Sequence, residues 1–269
     1  MGVLAAILLG AVQGLTEFLP VSSSAHLILA RMLFGVDAER LGMAFDVACH
    51  VGTLVAVVAF FRQDLLAMAT SARGVFQRAP DGAARRLQLV VFGTLPVVVL
   101  GVLVAGRIEE QLRTPLVASV TLALGALLFF WVERVGSRSR DDGSLTSGEG
   151  LAIGVAQAVA LVPGVSRSGA TITMGMALGL TRESAARFSF VLGVPAIMAA
   201  AGHEGLHLLK AGLGRDDATM FLVGMSTSAI VGYAAIKYFL KYLSGHSLAA
   251  FAWYRLVVAA LVLGWWLAG

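Results

Sequence analysis

Apolar runs dominate this chain, and the polar residues that interrupt them divide it into elements. A bilayer crossing needs about 20 apolar residues in helical form. Residues 2–34 are apolar but broken by Gln13, Glu17, Pro20, Ser22, Ser23, Ser24 and His26, and neither side of Pro20 is long enough to cross. A helix, a break at Pro20 and a second short helix fit a re-entrant hairpin. Residues 44–61 predict a span, with Asp46 and His50 near its start. The polar stretch 62–86 carries five arginines and two aspartates. Further spans are predicted at 87–105 and 115–131, followed by a polar linker at about 134–147. Residues 151–180 turn apolar again but break at Pro163-Gly164-Val165-Ser166-Arg167-Ser168, which predicts a second hairpin. The last spans fall at 185–201, 218–238 and about 248–267. The pattern is that of an all-α polytopic membrane protein, each half with one re-entrant helical hairpin and three transmembrane helices.

Composition agrees with that class. Of 269 residues, 58% are hydrophobic and 13% charged, and runs that do not alternate favour helices over a transmembrane barrel. A formal net charge of +4 is too modest to point to nucleic acid. Cys49 is the only cysteine, which excludes an intramolecular disulfide. The first 19 residues lack the basic opening of a cleaved signal peptide.

The halves repeat. Gln13 stands nine residues before Ser22, and Gln157 nine before Ser166. Each interval holds a proline, Pro20 or Pro163, and leads into Ser22-Ser23-Ser24 or Ser166-Arg167-Ser168. Gly93 and Gly101 are eight apart, as are Gly224 and Gly232, and Leu124-Gly125 matches Leu263-Gly264. The offsets are 144, 131 and 139 residues. They suggest one duplicated unit inside a single integral membrane domain, 1–269, with halves at about 1–133 and 148–269. Three spans per unit is an odd number, so the second unit enters the membrane from the opposite face. That makes an inverted-topology repeat whose broken helices meet near the midplane. Fourteen Lys and Arg fall on the side of the 62–86 segment and six on the other, which places both termini outside.

The two breaks then carry the chemistry. Proline and glycine end a helix, and residues from Ser166 to Thr171 can open a new one whose first N–H groups are free. Free N–H groups, hydroxyls and one arginine make a phosphate cradle; the competing reading is a serine-capped turn. Inversion brings Gln13, Glu17, Ser22, Ser23 and His26 to face Ser166, Arg167, Ser168 and Thr171. An acid, an imidazole, a guanidinium and several hydroxyls suit phosphoryl transfer. Gln13 and Glu17 are four apart, on one helix face. Ser23 and His26 are three apart, which suggests a nucleophile–base pair with Ser22 as the cap. Structural readings stand beside these: Glu17 simply paired with Arg167, His26 a hydrogen-bonded core histidine, His50 packed within its span. His203, His207 and His246 are expected in solvated loops.

Gln13-Gly14-Leu15-Thr16-Glu17-Phe18-Leu19-Pro20-Val21-Ser22-Ser23-Ser24-Ala25-His26 and Pro163-Gly164-Val165-Ser166-Arg167-Ser168-Gly169-Ala170-Thr171 closely resemble two signature motifs of the undecaprenyl pyrophosphate phosphatase family, the bacitracin-resistance type. The first motif is (E/Q)-x-x-x-E followed by Pro-x-Ser-Ser and a histidine; the second is P-G-x-S-R-S-x-x-T. The departures are Gln13, where many members have Glu, and Ala25, where Gly is common. The resemblance implies an inner-membrane hydrolase of bacteria, opening to the periplasmic side. It would convert a C55 polyprenyl diphosphate to the monophosphate carrier used for cell-wall precursors, with Mg²⁺ or Ca²⁺ as cofactor, and it is compatible with a homodimer. It implies that Glu17, with Gln13, holds the cation or assists protonation, although Gln13 weakens any mechanism that needs two ligating carboxylates. Ser23 and His26 would be nucleophile and base, in an order left open. Arg167 would grip the diphosphate, with Ser22, Ser166, Ser168 and Thr171 as donors. The competing class is a transporter or flippase of a lipid phosphate or other anionic substrate. It shares inverted repeats and would use Arg167 and the serines, but it needs no Ser–His pair beside an acid.

Overall fold

The computed structural model describes the backbone of residues 2–34, 38–77, 80, 82–211 and 215–268; side chains at 32–44, 105, 109–110 and 203–217 lie outside the described set. The described chain is all-helical. Its elements are α1 (Val3–Phe18), α2 (Ser23–Phe34), α3 (Ala38–Phe60), α4 (Arg62–Thr70), α5 (Gly82–Leu112), α6 (Pro115–Val135), α7 (Ser147–Val159), α8 (Arg167–Ala177), α9 (Arg182–Ala211), α10 (Arg215–Leu243) and α11 (Ala249–Ala268). Five segments are long and apolar enough to cross a membrane: Gly82–Val104, Pro115–Val135, Arg182–Gly202, Ala218–Leu243 and Ala249–Ala268. A sixth is added if Phe45–Phe60 and Arg62–Thr70, bent by 77° at Phe61, form one span. Large apolar side chains such as Val102, Leu103, Ile230 and Leu261 stand exposed on these helices, as expected of faces turned to hydrocarbon rather than water.

Local signals explain several boundaries. Thr114 caps α6, its Oγ1 accepting from the Val117 N–H at 3.2 Å, and Pro115 occupies the first helical position, where its missing N–H costs nothing. Thr146 and Glu149 form a capping box at the start of α7. Some elements depart from the expected limits. The predicted polar stretch 62–86 folds into α4, a 3-10 turn (Ala72–Phe76) and the start of α5. There Arg85 and Arg86 find Leu145 O, Ser147, Asp64 and Asp142, so helical structure continues past the apolar run. His203 and His207 lie within α9 rather than in a loop, and their side chains are outside the described residues. His246 does sit in a turn, exposed and stacked on Tyr242.

Two close helix crossings set the frame for the breaks. α1 packs along α10, and α7 packs along α5. A methyl group at Gly10 would stand 2.6 Å from the carbonyl oxygen of Gly224; one at Gly154 would stand 2.3 Å from that of Gly93. Only glycine permits backbones to approach this closely. α3 lies against α9 and α10, and α6 against α11. Phe18, Phe61, Phe190 and Phe239 are buried together in the largest apolar cluster, beneath the break that ends α1.

Candidate functional site

The two breaks have the same backbone device. Among the described residues, Ser22, Arg138 and Ser166 are the non-glycine residues with positive φ, at 75°, 53° and 70°. Such backbone costs about 1–3 kcal/mol per residue and persists only where the surroundings enforce it. Ser22 and Ser166 each precede a short helix. Ser22 Oγ lies 3.2 Å from Ser24 Oγ, and Ser166 Oγ lies 3.3 Å from Ser168 Oγ. The His26 N–H donates to Ser22 O at 3.3 Å, and the Ala170 N–H to Ser166 O at 2.9 Å. Ser166 also caps α8 through its side chain, accepting from the Gly169 N–H at 3.2 Å.

Arg255 of α11 ties the breaks together. It is fully buried, and its guanidinium donates to Pro20 O of the first break (3.2 Å) and to Gly164 O and Val165 O of the second (3.3 Å each). It also donates to Thr121 O and Leu122 O of α6, both at 3.1 Å, and lies over the Phe129 ring. Broken helices leave carbonyls without intrahelical partners, and hydrocarbon supplies no water to satisfy them. Arg255 supplies the missing donors. Two further bonds close the frame: Ser168 Oγ to Leu19 O at 3.1 Å, and Thr121 Oγ1 to Pro163 O at 2.7 Å.

Between the breaks lies a cavity of about 270 Å³. Its polar wall includes Glu17, Ser22, Ser23, His50, Ser166 and Arg167; its apolar wall includes Val97, Leu161, Ala196, Ile197 and Ala200. Glu17 is the hub. One oxygen, Oε1, accepts from Arg167 Nη2 at 3.1 Å, across 150 residues of sequence. The other, Oε2, accepts from Ser23 Oγ at 3.0 Å and from Gln13 Nε2 at 3.0 Å. His50 Nε2 is 3.7 Å from that same oxygen. A second guanidinium nitrogen, Arg167 Nη1, donates to Ser189 O at 3.4 Å. An anion entering this cavity meets a guanidinium, several hydroxyls and the start of α8, all suited to phosphate oxygens.

The residues singled out from sequence meet different fates. Glu17, Ser22, Ser23, Ser166 and Arg167 line the cavity, and Gln13 backs it by orienting Glu17. Ser168 and Thr171 are turned into the frame: Ser168 bonds to Leu19 O, and Thr171 Oγ1 bonds to Arg167 O at 2.8 Å and Ser189 Oγ at 2.5 Å. The expected Ser23–His26 contact is not formed. His26 Nδ1 lies 2.8 Å from Ser22 O, and Nε2 lies 2.6 Å from Tyr254 OH, with the two rings stacked. Helical side chains lean toward the N-terminus, which carries the His26 ring back onto the Ser22 carbonyl. The imidazole on the cavity wall is His50, which the sequence reading took as packed within its span. Its Nδ1 is 2.8 Å from Asp46 O, and a carbonyl only accepts, so Nδ1 carries the proton in that bond and Nε2 faces Glu17.

Three participants escaped the sequence reading: Arg255, Tyr254 and Ser189. Arg255 carried a usable signal, a lone arginine deep in an apolar span, where ionisable residues are expensive and seldom idle. Tyr254 and Ser189 carried none, because their roles follow from which helices become neighbours.

A polytopic helical membrane protein with a buried carboxylate–guanidinium pair and serines on one wall of a half-apolar cavity is a membrane protein suited to an anionic headgroup with an apolar tail. Comparison with known proteins narrows the class. The profile of the family described as bacitracin resistance protein BacA matches residues 6–261, and the chain belongs to that family. It is 50% identical over 264 residues to a protein named undecaprenyl-diphosphatase from Rubrobacter xylanophilus, covering 96% of each chain. It is 46% identical to one named undecaprenyl-diphosphatase 2 from Stutzerimonas stutzeri, covering 98% of each. A protein named undecaprenyl-diphosphatase from Pelotomaculum thermopropionicum is 42% identical over 98% of this chain and 96% of its own.

Proposed function

We propose that this chain is a membrane-embedded undecaprenyl-diphosphatase, releasing inorganic phosphate from a C55 polyprenyl diphosphate and returning the monophosphate carrier to cell-wall synthesis. The observation that carries this is the convergence of Ser23 and Arg167, from opposite breaks, on the two oxygens of buried Glu17 in one cavity. The names of the relatives supply the substrate. A transporter needs the arginine but has no use for a hydroxyl already donating to a buried carboxylate.

The chemistry follows from that geometry. Arg167 exchanges Glu17 for oxygens of the diphosphate, with Ser22 and Ser166 beside it. Ser23 Oγ attacks the terminal phosphorus and Glu17 takes its proton. The bond from that phosphorus to the bridging oxygen breaks, and the lipid monophosphate leaves. Water then adds to the phosphorus, Glu17 returns its proton to Ser23 Oγ as the Oγ–P bond breaks, and inorganic phosphate departs carrying the protons of the water. His26 acts as a positioning residue, holding the Ser22 carbonyl and so the left-handed turn that presents Ser23. The apolar wall at Leu161, Ala196 and Ile197 receives the start of the lipid tail.

A divalent cation, Mg²⁺ or Ca²⁺, fits the donor set in one specific way. Gln13 must turn its NH₂ toward the Glu17 carboxylate, which leaves its buried Oε1 without a protein partner. Glu17 and Gln13 Oε1 are hard oxygen donors, and Mg²⁺ sites use one or two carboxylates together with substrate phosphates. The cation would neutralise charge on the diphosphate.

The inverted repeat belongs to the same proposal, with halves at about 1–133 and 148–269 and α1–α2 and α7–α8 as re-entrant hairpins. Supporting it is an exchange of partners: α1 against α10 mirrors α7 against α5, and Gly10 on Gly224 mirrors Gly154 on Gly93. The excess of Lys and Arg on the side of 62–86 favours a cytoplasmic linker and a site open to the periplasm. The test is phosphate release from undecaprenyl diphosphate by purified protein, with Mg²⁺ and with chelator. Release that the chelator abolishes is expected. Binding without release would favour the transporter.

A further inference from the structure

Gln157 is the one polar residue of the cavity with no bond of any kind for its side chain. It sits near the end of α7, 1% exposed, and lines the cavity that holds Glu17 and Arg167. Among the described residues, neither Nε2 nor Oε1 has a hydrogen-bond partner. Its counterpart at the 144-residue offset, Gln13, has a carboxylate four residues on; Gln157 has Leu161 there instead. Nothing on its own helix therefore orients its amide. A buried carboxamide without protein partners is costly in any interior, and the only place left for its amide to find one is the cavity. Groups of this kind in a cavity wall call for a ligand.

We infer that Gln157 is a substrate-binding residue: its amide donates to a phosphate oxygen of the lipid diphosphate, as a second arm beside Arg167. This rests on the hydrolase reading above and adds to it a residue from the helix that precedes the second break. The division of labour follows from the neighbours. Gln13, committed to Glu17, turns its carbonyl toward the cation side. Gln157, free of any carboxylate, turns its N–H groups toward the anion. A neutral amide adds a donor without adding charge, so it binds the diphosphate while leaving the Glu17–Arg167 pair intact before substrate arrives.

The test uses the full-length protein in detergent and two probes, farnesyl methylenediphosphonate, which resists hydrolysis, and inorganic phosphate. Gln157→Leu removes the donor and keeps the volume; Gln157→Glu keeps the shape and sets a negative charge against the phosphate. The expected result is a loss of diphosphonate affinity of at least about tenfold for Gln157→Leu, on the scale of one hydrogen bond to a charged group. Gln157→Glu should lose more, and thermal midpoints should stay within about 2 °C of wild type. Leucine binding as wild type does, or affinity losses that track the midpoints, would overturn the inference, since either means the amide only packs. A loss confined to inorganic phosphate would overturn the assignment to the lipid headgroup. Failure of the wild type itself to hydrolyse a polyprenyl diphosphate would instead sink the hydrolase reading, and that outcome is separable from all of these.

Discussion

The break after α1 and the break after α7 share a backbone and differ in chemistry. Both place a left-handed serine before a short helix, both pair that serine with the one two residues on, and both hand carbonyls to Arg255. At the 144-residue offset, however, Glu17 faces Leu161, Ser23 faces Arg167, and His26 faces Ala170. The first break keeps the carboxylate and the hydroxyl that donates to it; the second keeps the guanidinium and the apolar surface. On the proposed duplication, one scaffold would hold two half-sites that have diverged, and the proposed activity would require both because neither has a complete set. Strained backbone is the shared component, since it aims the first residues of α2 and α8 into one cavity.

That division can be attacked at each half. Ser23→Ala removes the group proposed to attack phosphorus and should lower kcat by about a thousandfold or more, with diphosphate binding largely kept. A variant retaining a tenth of wild-type turnover would demote Ser23 to a phosphate donor. Arg255→Met tests what the halves share. It withdraws donors from carbonyls of both breaks, and a single buried polar group left unpaired costs about 1–3 kcal/mol. The thermal midpoint should fall by at least about 5 °C, with activity falling alongside; an unchanged midpoint would mean the breaks hold their shape without it. Arg167→Lys keeps the charge of the second half but loses the planar fork, and activity should drop by at least about tenfold. Near-normal turnover would make Arg167 structural.

The smallest effect lies away from both breaks, where the linker meets the start of α7. Arg140 donates to Glu149 at 2.7 and 3.1 Å and holds its carboxyl down at about 2. A depressed carboxyl contributes stability that is present above the ordinary carboxylate pKa and is lost as pH falls through about 2. Arg140 and Glu149 keep 33% and 21% of their side chains exposed, so solvent partly screens the pair. Glu149→Gln retains the capping box with Thr146 and should move the midpoint by no more than about 2 °C at neutral pH. A larger shift would mean the linker sets how the halves dock.

Much of this was legible in the sequence. The Pro-Gly-x-Ser-Arg-Ser break, the shared face of Gln13 and Glu17, and the meeting of Glu17 with Arg167 all followed from breaks in apolar runs and from the internal offset. What escaped was side-chain direction. Spacing put Ser23 and His26 on one face, but it did not show that Ser23, as the first residue of α2, reaches back to Glu17 while His26 closes on Ser22 and Tyr254. His50 lies one turn from Asp46 in a stretch that reads as an ordinary span; only the packing of α3 against α9 and α10 turns it to the cavity. Arg255 was visible as an arginine but not as a clamp, because its five acceptors come from three separate parts of the chain.

The central claim is that one site is assembled from both breaks, and a double-mutant cycle between Glu17 and Arg167 tests it most directly. Phosphate release from undecaprenyl diphosphate would be measured for wild type, Glu17→Gln, Arg167→Lys and the double variant. Residues that act as a unit are strongly non-additive. Each single variant should lose at least about tenfold, and the double variant should be little worse than the poorer of the two. If the two losses multiply instead, the carboxylate and the guanidinium act independently, and the account of a single site shared between the breaks is wrong.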